Sequence, residues 1–195
     1  DNADKAVFTF SSTIALADIL DISDNDMLII LPASLLAKCL CENVTTFNDI
    51  EKYVKDYVVR YIYTDTNRRP NILVVPSIGS FTNNNRRFKF DGNAEAYLTS
   101  IYYYTLKLLM NKDISSNERE IDIHLDITHG VNYMPVMCKE GVELAANTYA
   151  IIKGKKVRVH VYNSDPISPF PRNDPTTQLN INKIYEITYD GYKSM

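Results

Sequence analysis

Thr128, His129, Gly130, Asn132 and Tyr133 fall in one short run of the chain. A hydroxyl, an imidazole, an amide and a phenol so close to a glycine can hold an anion or a base. Hydroxyls and amides bond to phosphate oxygens, and glycine lets backbone N–H groups approach a ligand closely. An imidazole titrates near neutrality, so His129 also qualifies as a general base, although a ligand contact or a structural brace fits it better. The plainer alternative is that Thr128 and Asn132 cap a helix and His129 braces the turn. A second cluster is Ser77, Gly79, Ser80 and Phe81. Its hydroxyls can donate to phosphate and Phe81 can stack on a base. The alternative is an ordinary turn. Arg86, Arg87 and Lys89 follow, either as a lid over an anion or as a solvated loop.

The elements around these residues place them. Residues 121–127 alternate Ile121, Ile123, Leu125 and Ile127 with Asp122, His124 and Asp126, which is the period of a strand. A long amphipathic stretch over 132–152 predicts a helix directly after the turn. Apolar runs at 27–31 and 71–75 predict buried parallel strands. Alternating Val157, Val159 and Val161 predict another, and 183–188 a last edge strand. Helices are predicted over 11–20, 46–61 and 93–110, with Ser34 capping a further short one. Residues 77–93 read as a long polar loop. Strands alternating with helices give an α/β fold, a mostly parallel Rossmann-like sheet with helices on both faces. Right-handed crossovers then gather Ser34, 77–81, 128–133 and 163–165 along one rim. Phosphates and nucleotides bind at that rim in open α/β sheets.

Asp126-Ile127-Thr128-His129-Gly130 resembles the D-x-T-H-G signature of CRISPR-associated Rossmann-fold (CARF) proteins from type III systems. Pro76-Ser77-Ile78-Gly79-Ser80-Phe81 is similar to that family's glycine loop, and Val161-Tyr162-Asn163-Ser164-Asp165-Pro166 to its late strand and turn. The resemblance implies a homodimer that binds a cyclic oligoadenylate, cyclic tetraadenylate above others, across a twofold axis. It implies Ser77, Gly79, Ser80, Phe81, Thr128, His129, Gly130, Asn132 and Tyr133 as ligand contacts. It also implies a C-terminal HEPN ribonuclease domain outside this chain. The competing readings are a stand-alone, metal-independent ring nuclease and an unrelated nucleotide-binding Rossmann-like enzyme. The family opens with a strand and a small-residue loop, whereas only residues 1–10 precede the first helix here, so that start is missing or atypical.

Composition narrows the field. With 195 residues and 45% apolar content, one globular domain is expected. A formal net charge of −3 argues against broad duplex DNA binding, which needs a basic face. Cys39, Cys41 and Cys138 lack zinc spacing and make no disulfide framework, so free thiols in a cytoplasmic protein are expected. No membrane segment is expected, because the longest apolar run contains Pro32 and is short. No G-x-G-x-x-G, P-loop or G-x-S-x-G is present, so no cofactor is expected. Arg119 and His124 have the R-x4-H spacing of HEPN ribonucleases. An alternating strand is the wrong place for that helical chemistry, so the pair is refused.

Overall fold

A computed structural model describes residues 9, 11–39, 44–61, 67–83, 86–112, 119–130, 133–165 and 180–192. Its elements are α1 (Ser12–Ile19), β1 (Leu28–Pro32), α2 (Phe47–Tyr61), β2 (Asn71–Val75), β3 (Ile78–Asn83), β4 (Arg86–Asp91), α3 (Ala94–Asn111), β5 (Glu120–Asp126), α4 (Met134–Lys153), β6 (Lys156–Ser164) and β7 (Ile181–Asp190). Among the described residues, β1 pairs with β2 in a two-stranded parallel sheet, and β5 pairs in parallel with β6 in a separate three-stranded sheet. β7 closes the far edge antiparallel to β6.

The period-two patterning of β1 and β2 explains the helices on both faces. Leu28, Ile30, Leu73 and Val75 join the core under α3 and α4. Ile29, Leu31, Ile72 and Val74 point the other way, toward α1 and α2, where Ile14, Val54 and Val58 are buried. β5 and β6 differ. Their odd-numbered residues, Ile121, Ile123, Leu125, Val157, Val159 and Val161, face the same core. Their even-numbered residues carry charge: Asp122 accepts from Arg158 Nε and lies against His160 Nε2, each at 2.8 Å. This three-stranded sheet therefore has one apolar and one polar face.

One expectation is overturned. Residues 78–83 and 86–91 are not a polar loop but two strands paired antiparallel, with Phe81 opposite Phe88 and Ser80 opposite Lys89. The physical cause is a short alternation, Phe88 and Phe90 between Arg87, Lys89 and Asp91. The two phenylalanines pack on Ala33, Leu36 and Val54, while the charged residues face out. Phe81 meets Phe90 edge to face at 5.8 Å. A strand of this kind is stabilised by what its apolar side covers, so the charge of its other side does not forbid it.

A second correction concerns Ser34. The short 3₁₀ helix is Ala33–Lys38, and its N-cap is Pro32, with no side-chain cap. Ser34 sits inside the helix instead, and its N–H is used elsewhere. Among the described residues, no helix is long and apolar enough to cross a membrane.

Candidate functional site

The rim of the sheet is built around Asp126, the last residue of β5. Its Oδ1 accepts from the Thr128 backbone N–H at 2.9 Å and from the Thr128 hydroxyl. The first of these is the local turn that aspartate makes with a residue two positions on. Its Oδ2 accepts from the Ser12 hydroxyl at 2.6 Å and the Thr13 hydroxyl at 2.7 Å, both from the first turn of α1. An ionised carboxylate has about four acceptor positions, and all are used. Asp126 is therefore occupied in holding structure.

Thr128 is spent in the same way. Its hydroxyl donates to Asp126 and accepts from the Ser164 N–H at 2.9 Å. Ile127 N–H donates to Tyr162 O at 3.0 Å, so the turn is riveted to the end of β6. Beyond β6, Asp165 accepts from Asn180 Nδ2 at 2.8 Å and Asn182 Nδ2 at 2.9 Å. Bonds from Asn180 hold the Asp165 carboxyl below its usual range. The start of β7 is thus tied to the same corner.

What the turn leaves open is His129 and Gly130, both exposed. Gly130 has φ +154, and a Cβ there would stand 2.9 Å from Pro135 Cγ. Backbone conformation and space both exclude a side chain. α4 begins at Met134 with no side-chain hydrogen bond at its N-cap, Tyr133, and with Pro135 in its first turn. An uncapped helix start presents N–H groups and the positive end of the dipole. Neither Thr128 nor His129 caps α4, and Asn132 lies outside the described residues. The Tyr133 hydroxyl is buried with no hydrogen-bond partner among the described residues. Its ring stands edge to face with Tyr97 at 5.5 Å. Burial pushes the Tyr97 phenol upward and the nearby Cys138 thiol to about 12, so both stay neutral.

The second nominated cluster has another character. Ser77 is 2% exposed, and its hydroxyl oxygen accepts from the Ser34 N–H at 3.0 Å. Its carbonyl accepts from Gly92 N–H at 3.0 Å, which closes the base of the hairpin. Asn93 then caps α3, accepting from Ala96 N–H at 2.6 Å. Through α3, whose Tyr97 meets Tyr133, the hairpin base and the 128–133 turn share one end of the fold. Gly79, with φ +127, and the exposed Ser80 and Phe81 lie along β3. Arg87 and Lys89 project from β4, and Lys89 pairs with Asp91 at 2.9 Å.

Sequence reasoning passed over Asp126 as a site-building residue, and with it Ser12, Thr13 and Asn93. An aspartate two residues before a threonine was the readable signal; the two hydroxyls from α1 had none. His124 lies within β5, stacked on His160 with centroids 4.8 Å apart and within 3.0 Å of the Tyr162 hydroxyl. This is the strand position on which the HEPN reading was refused. Among the described residues no group of His, Cys, Asp or Glu is arranged to hold a metal.

Comparisons with known proteins agree with this architecture. Residues 1–166 match the family described as CRISPR system endoribonuclease Csx1, CARF domain. A protein named CRISPR system endoribonuclease Csx1, from Methanocaldococcus jannaschii, is 32% identical over 170 residues, covering 83% of this chain. The chain spans 34% of that relative's length. An α/β sheet, a D-x-T-H-G turn at its rim and a match over most of the chain place it together: the chain belongs to the Csx1 CARF family of type III CRISPR systems.

Proposed function

We propose that this chain is the sensor part of a messenger-activated ribonuclease and binds cyclic tetraadenylate at a homodimer interface. The observation that carries the reading is the open start of α4 beside Gly130 and the exposed His129. Uncapped N–H groups and a glycine accept phosphate, and an imidazole edge supplies a further polar contact. Symmetry supplies the dimer: a ring of four identical nucleotides has a twofold axis, so two equal domains can each grip half. Val136, Leu144 and Ile151 support this. They are an exposed apolar set on α4, 54%, 47% and 43% exposed, and Val136 stands in its first turn. A second copy would cover it. The ribonuclease effector belongs to the length of the Methanocaldococcus relative that this chain does not span.

The test is direct. The purified protein is titrated with cyclic tetraadenylate by calorimetry. The mixture, with and without EDTA, is then resolved for products. Binding at one ring per two chains with the ring intact is expected. Absence of binding to any ring size overturns the reading. Conversion to linear di-adenylate carrying a cyclic phosphate reassigns the chain as a ring nuclease.

A further inference from the structure

We infer that Asp126 is a positioning residue that couples the ligand turn to helix α1. The inference rests on the reading of the 128–133 turn as the messenger site and goes beyond it. The carboxylate divides its oxygens between two elements. Oδ1 holds Thr128 of the turn, and Oδ2 holds Ser12 and Thr13 of α1. Hydrogen bonds to an ionised acceptor are short and about twice as strong as neutral ones. A carboxylate is rigid and planar, so a shift of Thr128 that turns Oδ1 also displaces Oδ2.

The chain of bonds continues, because the Thr128 hydroxyl accepts from the Ser164 N–H at the end of β6. α1, the end of β5, the turn and the end of β6 are thus joined through one side chain. α1 depends on it in return. Its N-cap, Ser11, makes no side-chain cap, so the Asp126 carboxylate is the negative group held at its first turn. With every acceptor position filled, Asp126 reaches the ligand only through Thr128.

Coupling free energies are reciprocal. If the hydroxyls of α1 stabilise the binding form of the turn, the ligand must stabilise the anchorage of α1. Two hydroxyls that belong to another helix then govern the affinity of the turn, and α1 is the element that receives ligand occupancy.

The experiment uses the full chain and three variants: Ser12→Ala/Thr13→Val, Asp126→Asn and Asp126→Ala. Amide exchange at Thr128 is measured without ligand, and the affinity for cyclic tetraadenylate is measured beside it. The Ser12→Ala/Thr13→Val variant is expected to exchange Thr128 about tenfold faster and to bind the ring about tenfold more weakly. Asp126→Asn is expected to fall between wild type and Asp126→Ala, because the bonds are kept but the negative charge at the first turn of α1 is lost. Its oxygen still serves Thr128, and its amide donates to hydroxyls that rotate to accept. Asp126→Ala loses both effects. In wild type, ligand slows exchange at Ala15 and Leu16; in Asp126→Ala it does not.

Wild-type Thr128 exchange in the Ser12→Ala/Thr13→Val protein overturns the coupling. So does an Asp126→Asn variant as impaired as Asp126→Ala. If wild type binds no ring, the ligand reading has failed, and the exchange measurement still decides the coupling. If Asp126→Ala does not fold, the other two variants decide it.

Discussion

Two segments at the same end of the fold carry nearly the same ingredients and use them differently. In the 77–81 segment, the leading hydroxyl, Ser77, is buried and accepts from a buried backbone N–H across the fold. In the 128–130 segment, Thr128 is likewise spent on structure, but the two residues after it stand in solvent near the start of α4, whose N-cap residue makes no side-chain cap. A serine and a glycine after a strand are therefore not evidence of binding in themselves. What separates the segments is the structure that follows the leading hydroxyl. In the first, the satisfied groups lead into a hairpin. In the second, they lead into a turn that is fixed at its base and open at its tip.

The sharpest way to break this contrast is at Gly130. Gly130→Val meets both the positive φ and the Pro135 ring at 2.9 Å. Such a strained residue costs about 1–3 kcal/mol. The turn escapes by changing conformation, so ring affinity is expected to fall by up to about 100-fold, read by calorimetry. An unchanged affinity would show that the tip of the turn is not where the ligand sits. Next comes Ser77→Ala. It leaves the Ser34 N–H buried and unpaired, a loss of about 1–3 kcal/mol in urea unfolding. At full folding its ring affinity is expected to equal wild type. An affinity loss without a stability loss would turn the comparison around and make Ser77 a contact.

His129→Ala reverses the pattern. The side chain is exposed, so stability stays within about 0.5 kcal/mol. Affinity is expected to fall about tenfold, the loss of one good polar contact. Wild-type binding by this variant would confine the site to backbone groups.

These outcomes also measure what the sequence could reveal. Elements built on long periodicity were legible: β2 is Asn71–Val75, as its apolar run predicts, and α3 and α4 fall within two residues of the predicted spans. The hairpin was not, because two phenylalanines alternating with charged residues beside an asparagine run resemble a solvated loop until a partner surface exists. Which hydroxyls are free was illegible for a different reason. Ser12, Thr13, Ser34, Ser77 and Ser164 find their partners from 36 to more than 100 residues away along the chain — such pairings depend on the folded register, and no local spacing encodes them. The D-x-T-H-G motif was visible, but the structural role of its first two polar members appears only when the bonds are traced.

The smallest expected effect contrasts two histidines five residues apart, the exposed His129 and the half-buried His124. Burial, and then the stacked His160, hold the His124 imidazole below its ordinary value of 6.5. The other charges near it belong to Asp122 on its own strand, which opposes the shift, and to Lys183 on β7, which adds to it. The unfolded chain therefore takes up this proton first as pH falls. Stability is fully present above about 6.5 and declines as pH drops from there toward the lower folded value. Urea midpoints compared at pH 7.5 and 5.5 should fall in wild type. In His124→Gln the fall should be reduced, because glutamine fills the site without titrating. An equal fall in His124→Gln would place the proton uptake on other groups, and the polar face of β5 would then be indifferent to pH. A reduced fall would place that share of the acid sensitivity on His124 and the polar face of β5.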